Sequence, residues 1–177
     1  MLTAACVLTL CGDCRAQTPG APPPSADSLV SAGLKSAQAG GRAVLIEFGA
    51  SWCTWCRSFE AFVHAPAVRQ IIANNYVVVN LTVQERDDKK ALENAGGQQK
   101  MNAWGGEKSG LPYYVFLDAA GRKLADSNAM PDGSNIGFPA TPQELQVFVA
   151  LIDKTAPKMN KADRATIVDY LNKTIKP

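Results

Sequence analysis

Residues 43–56 read Ala43-Val44-Leu45-Ile46-Glu47-Phe48-Gly49-Ala50-Ser51-Trp52-Cys53-Thr54-Trp55-Cys56. Their first half, residues 43–49, is apolar apart from Glu47, the pattern of a strand buried on both faces at the centre of an α/β sheet. The strand delivers two cysteines, three apart, to the start of a helical pattern whose inner side carries Phe59, Phe62 and Val63. Residues i and i+3 share one face of a helix, so the two Cα atoms fall within the window a disulfide tolerates. A thiol at a helix N-terminus also meets unpaired backbone N–H groups and the positive end of the dipole, which favour the thiolate. Cys53 therefore reads as an activated nucleophile and Cys56 as the thiol that resolves its mixed disulfide.

The chain has 177 residues, enough for one domain with a sizeable core. A net charge of +2 gives no broad basic surface for nucleic acid, and the longest basic run, Lys89-Lys90, reads as a solvated helix face. Of five cysteines, Cys6, Cys11 and Cys14 precede residue 15, and only Cys53 and Cys56 belong to the body. The short apolar run 2–10 fits the core of a secretory signal, residues 1–16 with cleavage after Ala16, although no Lys or Arg precedes it. Export places the mature chain in the periplasm or outside the cell. A lipidated Cys6 after Thr3-Ala4-Ala5 is the other reading of this end, and it needs an upstream piece. Membrane contact is expected only if the end is lipidated or uncleaved. Cys11-Gly12-Asp13-Cys14 repeats the CxxC spelling inside or beside the segment expected to be removed.

Residues 17–26 are a Pro-rich linker. A helix is expected over 27–39, capped by Ser25 or Asp27 and ended by Gly40-Gly41. After the cysteine helix, Pro66 kinks or restarts the chain, and 67–74 is helical again. Residues 76–83 are β-branched and read as a second strand. Residues 86–103 are polar, with a helix expected up to Gly96-Gly97. Strands follow at 113–118 and 122–126, joined by a short Gly-bearing turn. Residues 128–140 form a long loop; Thr141-Pro142-Gln143-Glu144 then opens a helix, and a last one is expected near 162–174.

This order, with CxxC opening the second helix, resembles the thioredoxin fold over residues 27–155, followed by a helical extension over 156–177. The resemblance implies an α/β architecture: a central mixed β-sheet flanked by helices, with an extra C-terminal helix. Thioredoxin-like proteins have Trp-Cys-x-x-Cys after a buried strand, here Trp52, Cys53 and Cys56. They have a cis-proline before the third strand, here Pro112, whose preceding residue, Leu111, would pair its backbone with an extended substrate. They carry a buried acid six residues before the first cysteine, here Glu47, which would exchange a proton with Cys56. Trp52 would cover the disulfide and Trp55 would belong to the docking surface. Arg57 reads equally as a charge favouring the Cys53 thiolate or as a solvated residue. His64 reads as structural or exposed, and Trp104 as packing. Asn135-Ile136-Gly137-Phe138-Pro139 lies outside the basic thioredoxin pattern, and either closes over the site or only connects two elements.

The chain departs from the pattern at two places. Thr54-Trp55 matches neither the Gly-Pro of thioredoxin nor the histidine-bearing pairs of strong oxidants, which leans the potential toward reducing or intermediate. Asn80 stands where thioredoxin has a lysine near the acid. The expected activity is thiol–disulfide exchange, reducing or isomerising disulfides of exported proteins. It implies protein substrates, an upstream redox partner, a monomer, no metal, and no cofactor beyond the Cys53–Cys56 disulfide. Two other readings stay open: a thioredoxin-fold binding or chaperone-like module with a structural disulfide, and a zinc module using Cys11, Cys14, Cys53 and Cys56.

Overall fold

Strand β1 (Ala43–Gly49) is buried along nearly its whole length and has neighbours on both sides. Strands β2 (Tyr76–Thr82), β3 (Tyr113–Leu117) and β4 (Lys123–Asp126) complete a mixed sheet of order β2-β1-β3-β4. β2 runs parallel to β1, as a helical crossover permits, while β3 and β4 are antiparallel additions joined by a tight turn. The computed structural model describes residues 21–175. The expected signal at 1–16, Cys6, Cys11, Cys14 and the first part of the Pro-rich segment lie outside the described residues.

Because side chains alternate along β1, the sheet supports two separate cores. Val44, Ile46 and Phe48 pack with Val79, Tyr113 and Val115 beneath helix α1 (Ala26–Gly40) and helix α4 (Gly97–Ala103). On the other face, Leu45, Tyr114 and Phe116 meet Phe59, Phe62 and Phe148 from helices α2 (Thr54–His64) and α5 (Pro142–Thr155). α1 is capped by Ser25, whose hydroxyl accepts from Ser28 N–H, and it ends at Gly41 in the left-handed conformation that glycine tolerates. α2 stops at His64, which is exposed, and helix α3 (Arg69–Asn75) follows the break at Pro66. α5 opens with a complete capping box between Thr141 and Glu144.

One expected element differs. Residues 86–103 are not helical up to Gly96-Gly97; a 3-10 turn spans Asp87–Leu92, and the α-helix begins at Gly97. The 3-10 turn buries no residue, so no apolar face holds a regular helix there, whereas α4 is anchored by buried Met101. Two terminal segments are tied to the body. Pro24 C=O accepts from Asn94 Nδ2 at 2.8 Å, and Ala26 N–H donates to Ala95 C=O at 2.9 Å. Helix α6 (Lys161–Asn172) places Ile167 and Leu171 inside the larger core.

Candidate functional site

At the end of β1 the chain turns sharply, Cys53 N–H donating to Ala50 C=O at 3.0 Å. Cys53 is the N-cap of α2: its backbone is extended and its Sγ accepts from Cys56 N–H at 3.0 Å. Sulfur thus occupies the place usually taken by a capping oxygen, at the positive end of an 11-residue helix with no acid in its first turn. Cys53 and Cys56 are joined in a disulfide with Cα atoms 5.3 Å apart, and they are only 4% and 7% exposed. Ala50 and Leu111 pack against them.

Glu47 projects to the α2 face of β1 and is 7% exposed. Its Oε1 has no hydrogen-bond partner among the described residues. Burial, and secondarily the Glu60 carboxylate, push its pKa up to about 8. Gly49 separates the acid from the cysteine: a Cβ there would lie 2.7 Å from Glu47 Oε1 and 3.3 Å from Cys56 Cβ. The missing side chain keeps the space between carboxyl and thiol open. A cleft of about 480 Å³ runs from this space to solvent past Arg57, Glu60 and Asn80. Asn80 is the β2 register partner of Glu47, so a neutral amide faces the acid across the sheet.

Glu60 escaped the sequence reading. Its position four residues after Cys56 was the available signal, since that spacing returns to the same helix face. Glu85 was missed too. Its carboxylate accepts from Ser51 N–H at 2.6 Å and from Ser51 Oγ at 2.9 Å, fastening the turn before Cys53 to the segment after β2. Arg57 is exposed and bonds Ser51 C=O at 3.1 Å and Thr54 Oγ1 at 3.0 Å, bracing the same turn.

Trp52 is 42% exposed. Its Nε1 donates to Gln84 C=O at 2.8 Å, and Arg86 lies over its ring. Trp55 is 53% exposed and stacks on Phe138 with ring centroids 6.3 Å apart. The Leu111–Pro112 peptide bond is cis. Asn135 Nδ2 donates to Gly110 C=O at 2.7 Å and to Pro112 C=O at 3.0 Å, so the 135–139 segment lies directly beside the site. Trp104 is half-buried and meets Phe48 edge-on. Among the described residues no group of three or more His, Cys, Asp or Glu side chains is placed to hold a metal. No helix among them is long and apolar enough to cross a membrane.

A curated relative, the thiol:disulfide interchange protein DsbD of Salmonella typhi, is 29% identical over 89 residues, 49% of this chain. The match spans only 14% of that protein's length. The solved disulphide isomerase of Xylella fastidiosa Temecula1 aligns over 94% of this chain and 98% of its own, at 20% identity and a TM-score of 0.50. The oxidised C-terminal domain of Neisseria meningitidis DsbD aligns over 60% of this chain and 84% of its own, at 16% identity and a TM-score of 0.41. A family model described as thioredoxin-like matches residues 26–119, from the start of α1 through β3. The chain belongs to the thioredoxin-like family.

Proposed function

We propose that this protein is a thiol–disulfide oxidoreductase that reduces or isomerises disulfides of exported proteins. The observation that carries the reading is the stack of three groups at the end of β1. Cys53 Sγ caps a helix, Cys56 lies beneath it, and an unpartnered buried carboxyl borders Cys56. In the reduced protein the Cys53 thiolate attacks one sulfur of a substrate disulfide. A mixed disulfide forms and the other substrate sulfur leaves as thiolate. Glu47 accepts the proton of Cys56, whose sulfur then attacks Cys53 Sγ and expels the second substrate thiolate. The substrate gains two electrons and the protein is left with the Cys53–Cys56 disulfide. A dithiol donor protein returns it to the reduced form. Isomerisation uses the first step alone, when a substrate thiol rather than Cys56 resolves the intermediate.

A carboxyl with a pKa near 8 suits this exchange, because its two forms are of comparable abundance near the pH at which a thiol gives up its proton. The backbone of Leu111 is the platform for the substrate chain, and Trp55 is part of the docking surface. The absence of histidine between the cysteines favours a reducing or intermediate potential.

The test is mutational. Cys56→Ser should accumulate mixed disulfides through Cys53, seen as reductant-sensitive adducts on denaturing gels. Cys53→Ser should abolish insulin reduction. Full activity in Cys53→Ser would refute the mechanism, and a Cys53–Cys56 potential too low for a glutathione or dithiothreitol couple to reduce would mark the bridge as structural.

A further inference from the structure

We propose that the outer edge of β2 is a dimer interface, at which a second copy of this chain adds its own β2 antiparallel and joins the two sheets into one. This assembly stands in place of the monomer expected from sequence, and it is independent of the redox chemistry.

β2 lies at the edge of the sheet, with β1 on one side only. Val83 N–H donates to Gly49 C=O at 2.8 Å, which continues the parallel ladder and turns Val77, Val79, Leu81 and Val83 toward β1. The backbone groups of Tyr76, Val78, Asn80 and Thr82 therefore point outward. Both ends of this row are occupied. Tyr76 N–H donates to Ile72 C=O. Asn94 pairs with Thr82 as a neighbouring strand would, its Oδ1 accepting from Thr82 N–H at 2.7 Å and its N–H donating to Thr82 C=O at 3.0 Å. Between these ends, the N–H and C=O of Val78 and Asn80 have no partner among the described residues.

Exposed edges are usually blunted by charge, proline, shortness or irregular pairing. β4, at the opposite edge of the sheet, is four residues long, begins at Lys123, ends at Asp126 and shifts register against β3. β2 is seven residues long and carries neither a charge nor a proline.

The open window is complementary to itself. A two-fold axis beside Val79 sets Val78 opposite Asn80 of the second copy, and Asn80 opposite its Val78. Each is an antiparallel pair that exchanges both hydrogen bonds, so every free group in the window is used. The flanks offer room and matching charge. Beside Val78 a hollow of about 390 Å³ is lined by Arg42, His64 and Arg69 and by no acid. Beside Asn80 lies the cleft of about 480 Å³, whose lining carries the carboxyls of Glu47, Glu60 and Glu85 and one cation, Arg57. Val78 and Asn80 share a face of β2, so the pairing sets the basic hollow of each copy against the acidic cleft of the other. It also leaves the two cysteine pairs at opposite ends of the joined sheet.

The test is sedimentation velocity of the oxidised chain over a concentration series, with amide hydrogen exchange followed by NMR. A dimer is expected in which the Val78 and Asn80 amides are protected, the protection being lost on dissociation. Asn80→Pro deletes an outward N–H that serves no bond within the described chain. Arg69→Glu reverses an exposed charge at the first residue of α3, and it serves even where the proline variant fails to fold. Each should raise the dimer dissociation constant about tenfold. A chain that is monomeric at every concentration would overturn the proposal. So would a monomer with both amides protected, because residues before 21 would then be what covers the edge. A dimer in which both amides exchange freely, or whose dissociation constant stays within about twofold of wild type in the folded variants, would overturn it as well.

Discussion

Glu47 is where the proposed proton transfer and the stability of the fold meet in a single side chain. An exposed glutamate in the unfolded chain titrates near 4.5, and the folded one near 8. Between these values the folded state holds a proton that the unfolded state has released. Stability is therefore full below about pH 4.5, falls as pH rises, and levels off above about 8. The full fall is on the order of 5 kcal/mol at most. Glu47→Gln keeps the shape and removes the titration. Denaturant unfolding of the oxidised variant should lose the part of the pH 5 to pH 9 decline that separates it from wild type. Equal slopes would mean the carboxyl is not buried in its neutral form. The same variant should slow resolution of the mixed disulfide, measured by single-turnover kinetics, most strongly at pH 8 and above, where the wild-type carboxylate is available to take the proton. The pairing of the cysteines and the burial of this acid were legible from sequence, because a charged residue inside Val-Leu-Ile-x-Phe and a CxxC after a strand are local signals. Glu60 and Glu85 were not, since each acts on a neighbour that only the fold brings near.

At the scale of elements, the cysteine helix depends on what secures the turn before it. Glu85 provides two charge-assisted hydrogen bonds to Ser51, and the segment carrying it is secured in turn by Glu85 N–H to Glu93 Oε1 at 2.7 Å. Glu85→Ala leaves the Ser51 N–H without its partner and should cost about 1–3 kcal/mol in denaturant titration. It should also raise hydrogen exchange in residues 50–53 ahead of any effect in α5. Unchanged exchange there would show that Arg57 alone holds the turn. Strands β1 to β4, the capping box of α5 and the break at Pro66 were readable, because periodicity, caps and turns are written in neighbouring residues. The 3-10 turn at Asp87–Leu92 was not: a polar run with no apolar face leaves helix and turn nearly equal in energy, so contacts between distant segments, such as Lys89 Nζ with Ser51 Oγ, decide. The placement of 135–139 against Trp55 and Pro112 was equally silent, since stacking and amide bonds between distant segments leave no local trace.

Across the whole molecule, the sheet separates a smaller core under α1 and α4 from a larger one under α2, α5 and α6. The larger core reaches well past the 26–119 segment that defines the family match, since Phe148, Ile152, Ile167 and Leu171 all lie within it. Helix α6 is thus part of what holds α2 in place: Tyr170 packs on Phe62, with ring centroids 5.6 Å apart. Leu171→Ala, at a position with no exposed surface, should destabilise the protein by about 2–5 kcal/mol in equilibrium unfolding. A loss under about 0.5 kcal/mol would mean α6 is docked only loosely. The alternation along β1 has a further consequence. Ile46 and Phe48 face one core, and Glu47 between them faces the other side, toward Cys56. The position of the acid is therefore addressed by parity: one residue inserted or deleted within β1 would turn the carboxyl into the dry core and a phenyl ring or isoleucine toward the thiol. Under the proposed mechanism such a change would silence the redox centre with both cysteines and the helix still spelled as they are now.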